Sequence, residues 1–321
     1  MALALALDVG ATKIALGVVD DSGRVVRRAR LTTPSGRTAD QTWSPVAQVV
    51  RELLGTVPRA ELVGVGIGTA GPLDPVAGTV SPVLIPAWRD FPLVERAMQV
   101  ADGAPVSLIG DGICMAIGEH WVGAGSGVRN MLGIVVSSGI GGGLVLDDRV
   151  RVGPTGNAGH VGHLVVDPDG PRCPCGGRGC VELIGSGPSM VSWALRSGWN
   201  PCAVSGPTAP DPTAVDLAAA ARAGDPTARA AFDRGGRAIA AMIASVSAVC
   251  DLDLVVVGGG VAQAGAVLFD PLRSALTEFA GLGFVRRVRV EPARLGVDAG
   301  LIGAAAPLHR PSAYGTASLS G

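Results

Sequence analysis

His163-Leu-Val-Val-Asp-Pro-Asp-Gly-Pro-Arg-Cys173-Pro-Cys175-Gly-Gly-Arg-Gly-Cys180-Val-Glu182 concentrates one imidazole and three thiols in eighteen residues, from His163 to Cys180. The small residues between the sulfurs let the backbone fold tightly around an ion. Three thiolates and one imidazole complete a tetrahedral zinc shell with no position left open for water, so the ion is structural. A disulfide within Cys173-x-Cys175 would be strained, and a free dithiol leaves His163 without a role. His163, Cys173, Cys175 and Cys180 are the expected metal ligands, and the expected task of the ion is to hold a loop still.

Around this knuckle the chain is long enough, at 321 residues, for a sizeable core and two lobes. Lys plus Arg is 26 and Asp plus Glu 27, so no basic surplus points to nucleic acid and no acidic tail to a solvating role. The remaining cysteines, Cys114, Cys202 and Cys250, are scattered, which suits a reduced, cytoplasmic protein better than a disulfide framework. The apolar start Met1-Ala-Leu-Ala-Leu-Ala-Leu lacks a basic leader and reaches Asp8 too soon for a signal peptide. No apolar run is long enough to span a bilayer.

Leu3 to Val9 alternates Leu with Ala, turns at Gly10 to Lys13, and resumes from Ile14 to Val19, which predicts a hairpin with a third strand near Val25 to Leu31. Helical spacing follows over Gln41 to Leu54, then a buried strand from Leu62 to Ile67. Val106 to Ile109 reads as a strand with Asp111 just past its end, and a helix is expected from about Cys114 to Val122. The strand–Gly turn–strand pattern recurs at Met131 to Leu146 around Ser137-Ser-Gly-Ile-Gly-Gly-Gly143. Helices are expected near 188–197, 213–223 and 226–249, then a strand at Leu254 to Val257 and a Gly258-Gly-Gly260 turn into a helix. A strand at Val285 to Val290 and a helix from Gly300 to Leu308 complete the reading. Residues 311–321 are small and polar and are expected to fray.

Three glycine-rich turns carry the candidate chemistry. Asp8 ends a strand beside Gly10, Thr12 and Lys13, donors able to face a phosphate. Ser138, Gly139 and Gly141 offer backbone amides from the second hairpin, and turn amides form anion-binding concavities. Each turn taken singly is more simply a tight β-turn; the pair together with Gly258, Gly259 and Gly260 favours a nucleotide clamp. Neither a P-loop lysine motif nor a spaced G-x-G-x-x-G is present. Asp111, between Gly110 and Gly112, can approach a substrate hydroxyl as a general base or cap the helix that follows. Glu182, two residues beyond Cys180, is either a ligand-binding carboxylate stiffened by the ion or a solvated glutamate. His160 is either a packed or an exposed histidine, and His120 and His309 read as surface residues.

With these residues in view, the chain resembles the ROK family of sugar kinases and sugar-responsive repressors over residues 5 to 306. The most specific part is Gly156-Asn-Ala-Gly-His-Val-Gly-His163 together with Cys173 to Glu182. Leu7-Asp-Val-Gly-Ala-Thr-Lys13, Gly66-Ile-Gly-Thr-Ala-Gly-Pro72 and Ser138 to Gly143 support it. The resemblance implies an α/β, two-lobed actin-like ATPase (ribonuclease H-like) fold with a cleft between the lobes, assembled as a homodimer or homotetramer. The N-terminal lobe would run from 1 to 112 and be joined by the helix at 300–310. The C-terminal lobe, 113–299, would carry the zinc loop at 160–182. It further implies that Asp8, Gly10, Thr12 and Lys13 surround the phosphates of ATP and Mg2+, opposite Ser138, Gly139 and Gly141. Gly258 to Gly260 would lie near the adenosine. Asp111 matches the family's catalytic base, and Gly71, Gly110, His160, His163 and Glu182 match sugar-contacting positions.

Two departures touch the sugar. The family usually has Asn immediately before the catalytic Asp, where this chain has Gly110. The family's E-x-G-H element reads His160-Val-Gly-His163. Replacing a carboxylate by imidazole removes an acceptor for two hydroxyls and suits an amino, acylamino or otherwise altered sugar. The expected reaction is transfer from ATP to the 6-hydroxyl of a hexose, aminohexose or N-acetylhexosamine, with polyphosphate a donor in some relatives. Family repressors carry a DNA-binding segment before the first hairpin, which here begins by residue 3; a catalytically silent sugar sensor is the alternative reading.

Overall fold

The opening alternation of leucine and alanine is a strand buried on both faces. A computed structural model describes residues 1–10, 12–33, 38–82, 85–201 and 211–315; Cys202 lies outside them. In β1 (Leu3–Val9) the odd positions Leu3, Leu5, Leu7 and Val9 enter one core, and Ala4 and Ala6 enter another. Period-two alternation thus sorts large side chains to one side of the sheet and small ones to the other. On the leucine side lie α1 (Ala39–Leu54) and Trp43, Trp88 and Phe91, with Trp88 and Phe91 stacked at 4.8 Å. A capping box, Thr38 with Gln41, starts α1.

β1 pairs antiparallel with β2 (Lys13–Asp20), which pairs antiparallel with β3 (Val25–Thr32). On its other edge β1 runs parallel to β4 (Leu62–Thr69). The short pair β5 (Leu73–Asp74) and β6 (Thr79–Val80) and helix α2 (Leu93–Val100) lead to β7 (Val106–Gly110), parallel to β4. The sheet order is β3-β2-β1-β4-β7. Helix α3 (Asp111–Val122) starts directly at the end of β7.

The second five-stranded sheet repeats this order. It comprises β8 (Met131–Val136), β9 (Ile140–Leu146), β10 (Arg149–Arg151), β11 (Leu254–Gly258) and β12 (Arg289–Pro292), arranged β10-β9-β8-β11-β12. Helices α4 (Glu182–Gly185), α5 (Gly187–Arg196), α6 (Ala214–Ala223), α7 (Pro226–Cys250) and α8 (Ala266–Phe279) accompany it. The chain closes with α9 (Ala299–His309) and the single turn α10 (Pro311–Tyr314). Contacts divide the chain into one unit of Met1–Gly133, Gly142–Gly159 and Ala293–Gly321 and another of Ile134–Gly141 and His160–Pro292.

The alanine side of β1 receives α9 and α3 at backbone distance. A methyl group at Gly66 would lie 1.9 Å from the Ala304 carbonyl, one at Gly303 1.7 Å from the Cys114 carbonyl, and one at Gly118 2.5 Å from that of Ala299. Glycine is required at these crossings by contact, since no larger residue fits.

Several sequence expectations change. The α3 helix begins at Asp111, three residues early, because Gly110 in extended conformation serves as its N-cap. The expected strand at Val285 to Val290 is a 3-10 turn, Val285–Arg287, followed by β12. His120 is buried, its ring nitrogens 2.7 Å from the Tyr314 hydroxyl and 2.7 Å from the Val128 carbonyl, and His309 is half-buried against the Val19 carbonyl. The tail expected from Pro311 onward is ordered as α10 over 311–314, because Tyr314 is buried against His120. No helix among the described residues is long and apolar enough to cross a membrane.

Gly303→Ala should cost about 1–3 kcal/mol or more of unfolding free energy, since the methyl meets main chain that cannot yield. Gly55→Ala, at the right-handed end of α1 with no contact closer than 3.4 Å, should stay within about 0.5 kcal/mol. Denaturant midpoints of the two variants and the wild type check this.

Candidate active site

The parallel strands β1, β4 and β7 end side by side. Val9 aligns with Thr69, and Thr69 with Gly110, so their carboxyl ends form one edge. Ligands of open α/β sheets bind outside such edges. Asp8 sits one residue before this row and Asp111 one residue after it. Both carboxylates belong to the same unit and interact: burial first, and then the nearby Asp111 charge, push the Asp8 carboxyl up to about 6, with Lys13 opposing. Asp111 is exposed, and its Oδ1 accepts the Gly112 amide at 2.7 Å.

Asp8 reaches this position because α9 makes room. Its Oδ2 lies where a side chain at Gly300 would stand, with a built methyl only 2.5 Å away. The β1–β2 turn is held from outside, since the Thr33 hydroxyl donates to the Gly10 carbonyl at 2.8 Å and the Thr33 amide to the Thr12 carbonyl at 3.1 Å. Gly10 donates to Lys13 at 3.0 Å, closing the turn, and Thr12 is left exposed. Lys13 is the only lysine in the chain; the other cations among the 26 are arginine. A compact ammonium on a flexible stem thus stands at this one turn and nowhere else in the chain. Paired hard oxygen donors beside a cation suit a divalent metal carrying phosphate oxygens. Gly71 follows β4 in the loop to β5.

In the other unit the β8–β9 turn, the Gly258–Gly260 turn and the start of α4 come together. Ser137 donates to Gly139 at 2.9 Å, and Gly187, opening α5, donates to the Ser137 carbonyl at 2.9 Å. Gly259 has φ +92, and a methyl there would meet the Val136 carbonyl at 2.3 Å; a methyl at Gly260 would lie 3.6 Å from the Ser137 hydroxyl. The sequence leaves Glu182 as a ligand-binding or a solvated carboxylate. Its Oε2 in fact accepts the Ile140 amide at 2.8 Å, so that amide is not bare, and Gly139 packs against the same oxygen. Among the described residues the Ser138 and Gly139 amides remain as donors at the tip, and Gly141 has open space beside it.

The knuckle forms as its spacing implies. The ligand atoms of His163, Cys173, Cys175 and Cys180 all lie within 4.8 Å of one another. The Cys175 and Cys180 sulfurs are 3.8 Å apart, and His163 Nδ1 is 3.8 Å from the Cys173 sulfur. The edge of a tetrahedron with bonds of about 2.3 Å is about 3.8 Å, so the donor set fits a four-coordinate ion. Gly176 and Gly179 turn with φ +93 and +66, and Cys173 and Gly177 close the loop by a 2.9 Å hydrogen bond. Burial and the neighbouring sulfurs of Cys173 and Cys175 push the Cys180 thiol up to about 12, a crowding that a cation relieves. Cys180 leads through the fully buried Val181 to Glu182, so that carboxylate stands two residues from the cluster. His160 and His163 are exposed, their rings 6.5 Å apart and nearly parallel.

Residues 4–310 match the ROK family. The chain belongs to that family. It is 34% identical over 313 residues to a glucokinase of Streptomyces coelicolor, covering 95% of this chain and 97% of that protein. An N-acetylmannosamine kinase of Yersinia pestis is also 34% identical, over 306 residues covering 95% and 98% of the two chains. The crystal structure of a ROK family glucokinase from Streptomyces griseus in complex with glucose and AMPPNP matches with a TM-score of 0.80 at 34% identity, over 94% of this chain and 98% of that one. The α/β fold is therefore that of ROK sugar kinase structures.

Because the folded Asp8 carboxyl is raised from 3.8 to about 6, the folded protein holds this proton more tightly than the unfolded chain. The contribution is present in full below about pH 4 and lost as pH rises through about 6. Asp8→Asn should therefore melt higher than the wild type at pH 7 to 8 without ligands, by about 1–3 kcal/mol, with the difference vanishing near pH 4. Paired melting curves across that range check it.

Proposed function

We propose that this protein is an ATP-dependent sugar kinase that phosphorylates the 6-hydroxyl of a hexose or modified hexose. The observation that carries the reading is the coupled pair Asp8 and Asp111 beside Lys13, at the carboxyl ends of parallel strands. The family relatives support the reaction class. Asp111 takes the hydroxyl proton as the oxygen attacks the γ-phosphorus, and ADP leaves. Lys13, Thr12 and the Ser138 and Gly139 amides orient the phosphates and offset their charge. Gly258 to Gly260 give the nucleotide close approach to main chain. Asp8 and the phosphate oxygens would hold Mg2+, which neutralises charge building on the transferred group.

His163, Cys173, Cys175 and Cys180 would hold zinc, a structural ion that stiffens the segment bearing Glu182. Glu182 and His163 are proposed sugar contacts, with His160, Gly71 and Gly110. Gly110 has φ −68 and no atom closer than 3.7 Å to a built methyl, so neither strain nor crowding demands glycine there. The position is open, which together with an imidazole at 160 supports an amino or N-acylated hexose over plain glucose. A second reading, sugar binding without transfer, draws on these same two residues. A homo-oligomeric, cytoplasmic enzyme is part of the proposal.

An ADP-release assay over hexoses, aminohexoses and N-acetylhexosamines separates the readings: turnover on one panel member supports the kinase, and binding without turnover supports the sensor. Asp111→Asn should keep sugar binding and lower kcat by about 10²–10⁴-fold; a variant that keeps wild-type turnover removes Asp111 from its role. Elemental analysis of reduced protein should find about one zinc per chain, and stripping it with a strong chelator should lower the melting temperature. Metal-free protein with an unchanged melting curve would remove zinc from the account.

A further inference from the structure

Glu119 is a carboxylate with no solvent exposure, near the end of an α3 stretch, Gly112–His120, that is buried throughout. Its Oε2 accepts the Ala124 amide at 2.8 Å, and its Oε1 accepts the amides of Arg294 and Leu295 at 2.9 and 2.8 Å. Among the described residues no cationic side chain forms an ion pair with it. Burying a carboxylate is costly unless its lone pairs are met, and here three main-chain donors meet them. Such a group holds main chain in place far more rigidly than apolar contact does.

The two elements it joins, α3 and the segment entering α9, each have an end beside one of the two carboxylates. Arg294 and Leu295 lie in the segment entering α9, whose second residue, Gly300, forms the surface against which Asp8 Oδ2 rests. Helix α3 carries Asp111 as its first residue, about 12 Å along the axis from Glu119. Between them α3 and α9 touch at backbone distance, at Gly118 against the Ala299 carbonyl and Gly303 against the Cys114 carbonyl. A helix packed this closely moves as a rod, so its axial position is set where it is bonded at its far end.

We propose that Glu119 is a positioning residue for the phosphotransfer reaction: by bonding the end of α3 to the segment that opens α9, it sets the spacing of Asp111 from Asp8. The proposal rests on the kinase reading above. Misplacing a reacting group by about 1 Å can cost about 10²-fold in rate, so the effect belongs in kcat.

Glu119→Gln keeps the length of the side chain but turns an NH2 group toward a main-chain N–H. Gly123→Ala reaches the same end differently, because its methyl would stand 2.1 Å from Glu119 Oε2 and push the carboxylate aside. Leu53→Ala, a buried residue of α1 in the opposite core, controls for lost stability. The expected result is that Glu119→Gln and Gly123→Ala lower kcat tenfold or more well below their melting temperatures, with sugar KM within twofold of wild type. Leu53→Ala should melt lower yet keep kcat within twofold. The proposal is overturned if both site variants keep kcat within twofold, or if Leu53→Ala loses as much. If Glu119→Gln does not fold, Gly123→Ala decides. Should the wild type transfer no phosphate, the kinase reading falls, and amide hydrogen exchange tests the positioning separately. Exchange at 111–114 and 299–302 should rise in the site variants beyond the Leu53→Ala level; equal exchange overturns it.

Discussion

Main-chain contact between α9, α3 and the alanine face of β1 and β4 is the constraint from which the first unit follows. Side chains are replaced by hydrogen at Gly66, Gly118 and Gly303, so carbonyl groups of one element meet the α-carbons of the next. Packing of this kind has no soft component. An apolar side chain can change rotamer to absorb a shift, whereas backbone against backbone cannot. The helices therefore move together as one block, and whatever stands at their ends is placed with the accuracy of the main chain. Asp111 at the start of α3 and Gly300 beneath Asp8 stand at such ends.

The electrostatics of the site is a consequence of that rigidity. Two carboxylates at the edge of a parallel sheet, one of them largely withdrawn from water, would separate if the structure allowed it. Burial and mutual repulsion instead push the Asp8 carboxyl up to about 6, and the single lysine of the chain supplies the opposing charge. Repulsion of this kind is relieved by a bound cation, which is what the proposed reaction would bring.

The second unit reaches a comparable precision by a shorter route. Two covalent steps separate Cys180 from Glu182, and one hydrogen bond separates Glu182 from Ile140 in the β8–β9 turn. The cluster of His163, Cys173, Cys175 and Cys180 thus stands two residues from the carboxylate that bonds a glycine turn. Local sequence places the ligands and the carboxylate. That the carboxylate turns to the Ile140 amide, forty-two residues earlier, is a matter of folding.

The longer strands, the two glycine-turn hairpins, the Cys–His cluster and most of the helices were legible in the chain because each is written in local spacing: alternation in β1, helical periodicity in α1, four donors in eighteen residues. The family resemblance joined them in the right order. What spacing could not show was which side of a strand would meet which helix, since Leu and Ala alternate equally well in many sheets. His120 and Tyr314 look like surface residues until α10 folds back, and Asp111 looks like a loop residue until Gly110 caps a helix. Glu119 did leave a signal, a charge within a helix apolar on every side, but two of its three partners, Arg294 and Leu295, come from a loop 175 and 176 residues further along the chain. By itself the sequence determined the longer elements, the cluster of one His and three Cys and the residues with chemistry to offer, because these depend on neighbours along the chain. Tertiary structure alone decided the Asp8 shift, the partner of Glu182 and the anchoring of α3, because each depends on charge and main-chain groups brought together from far apart.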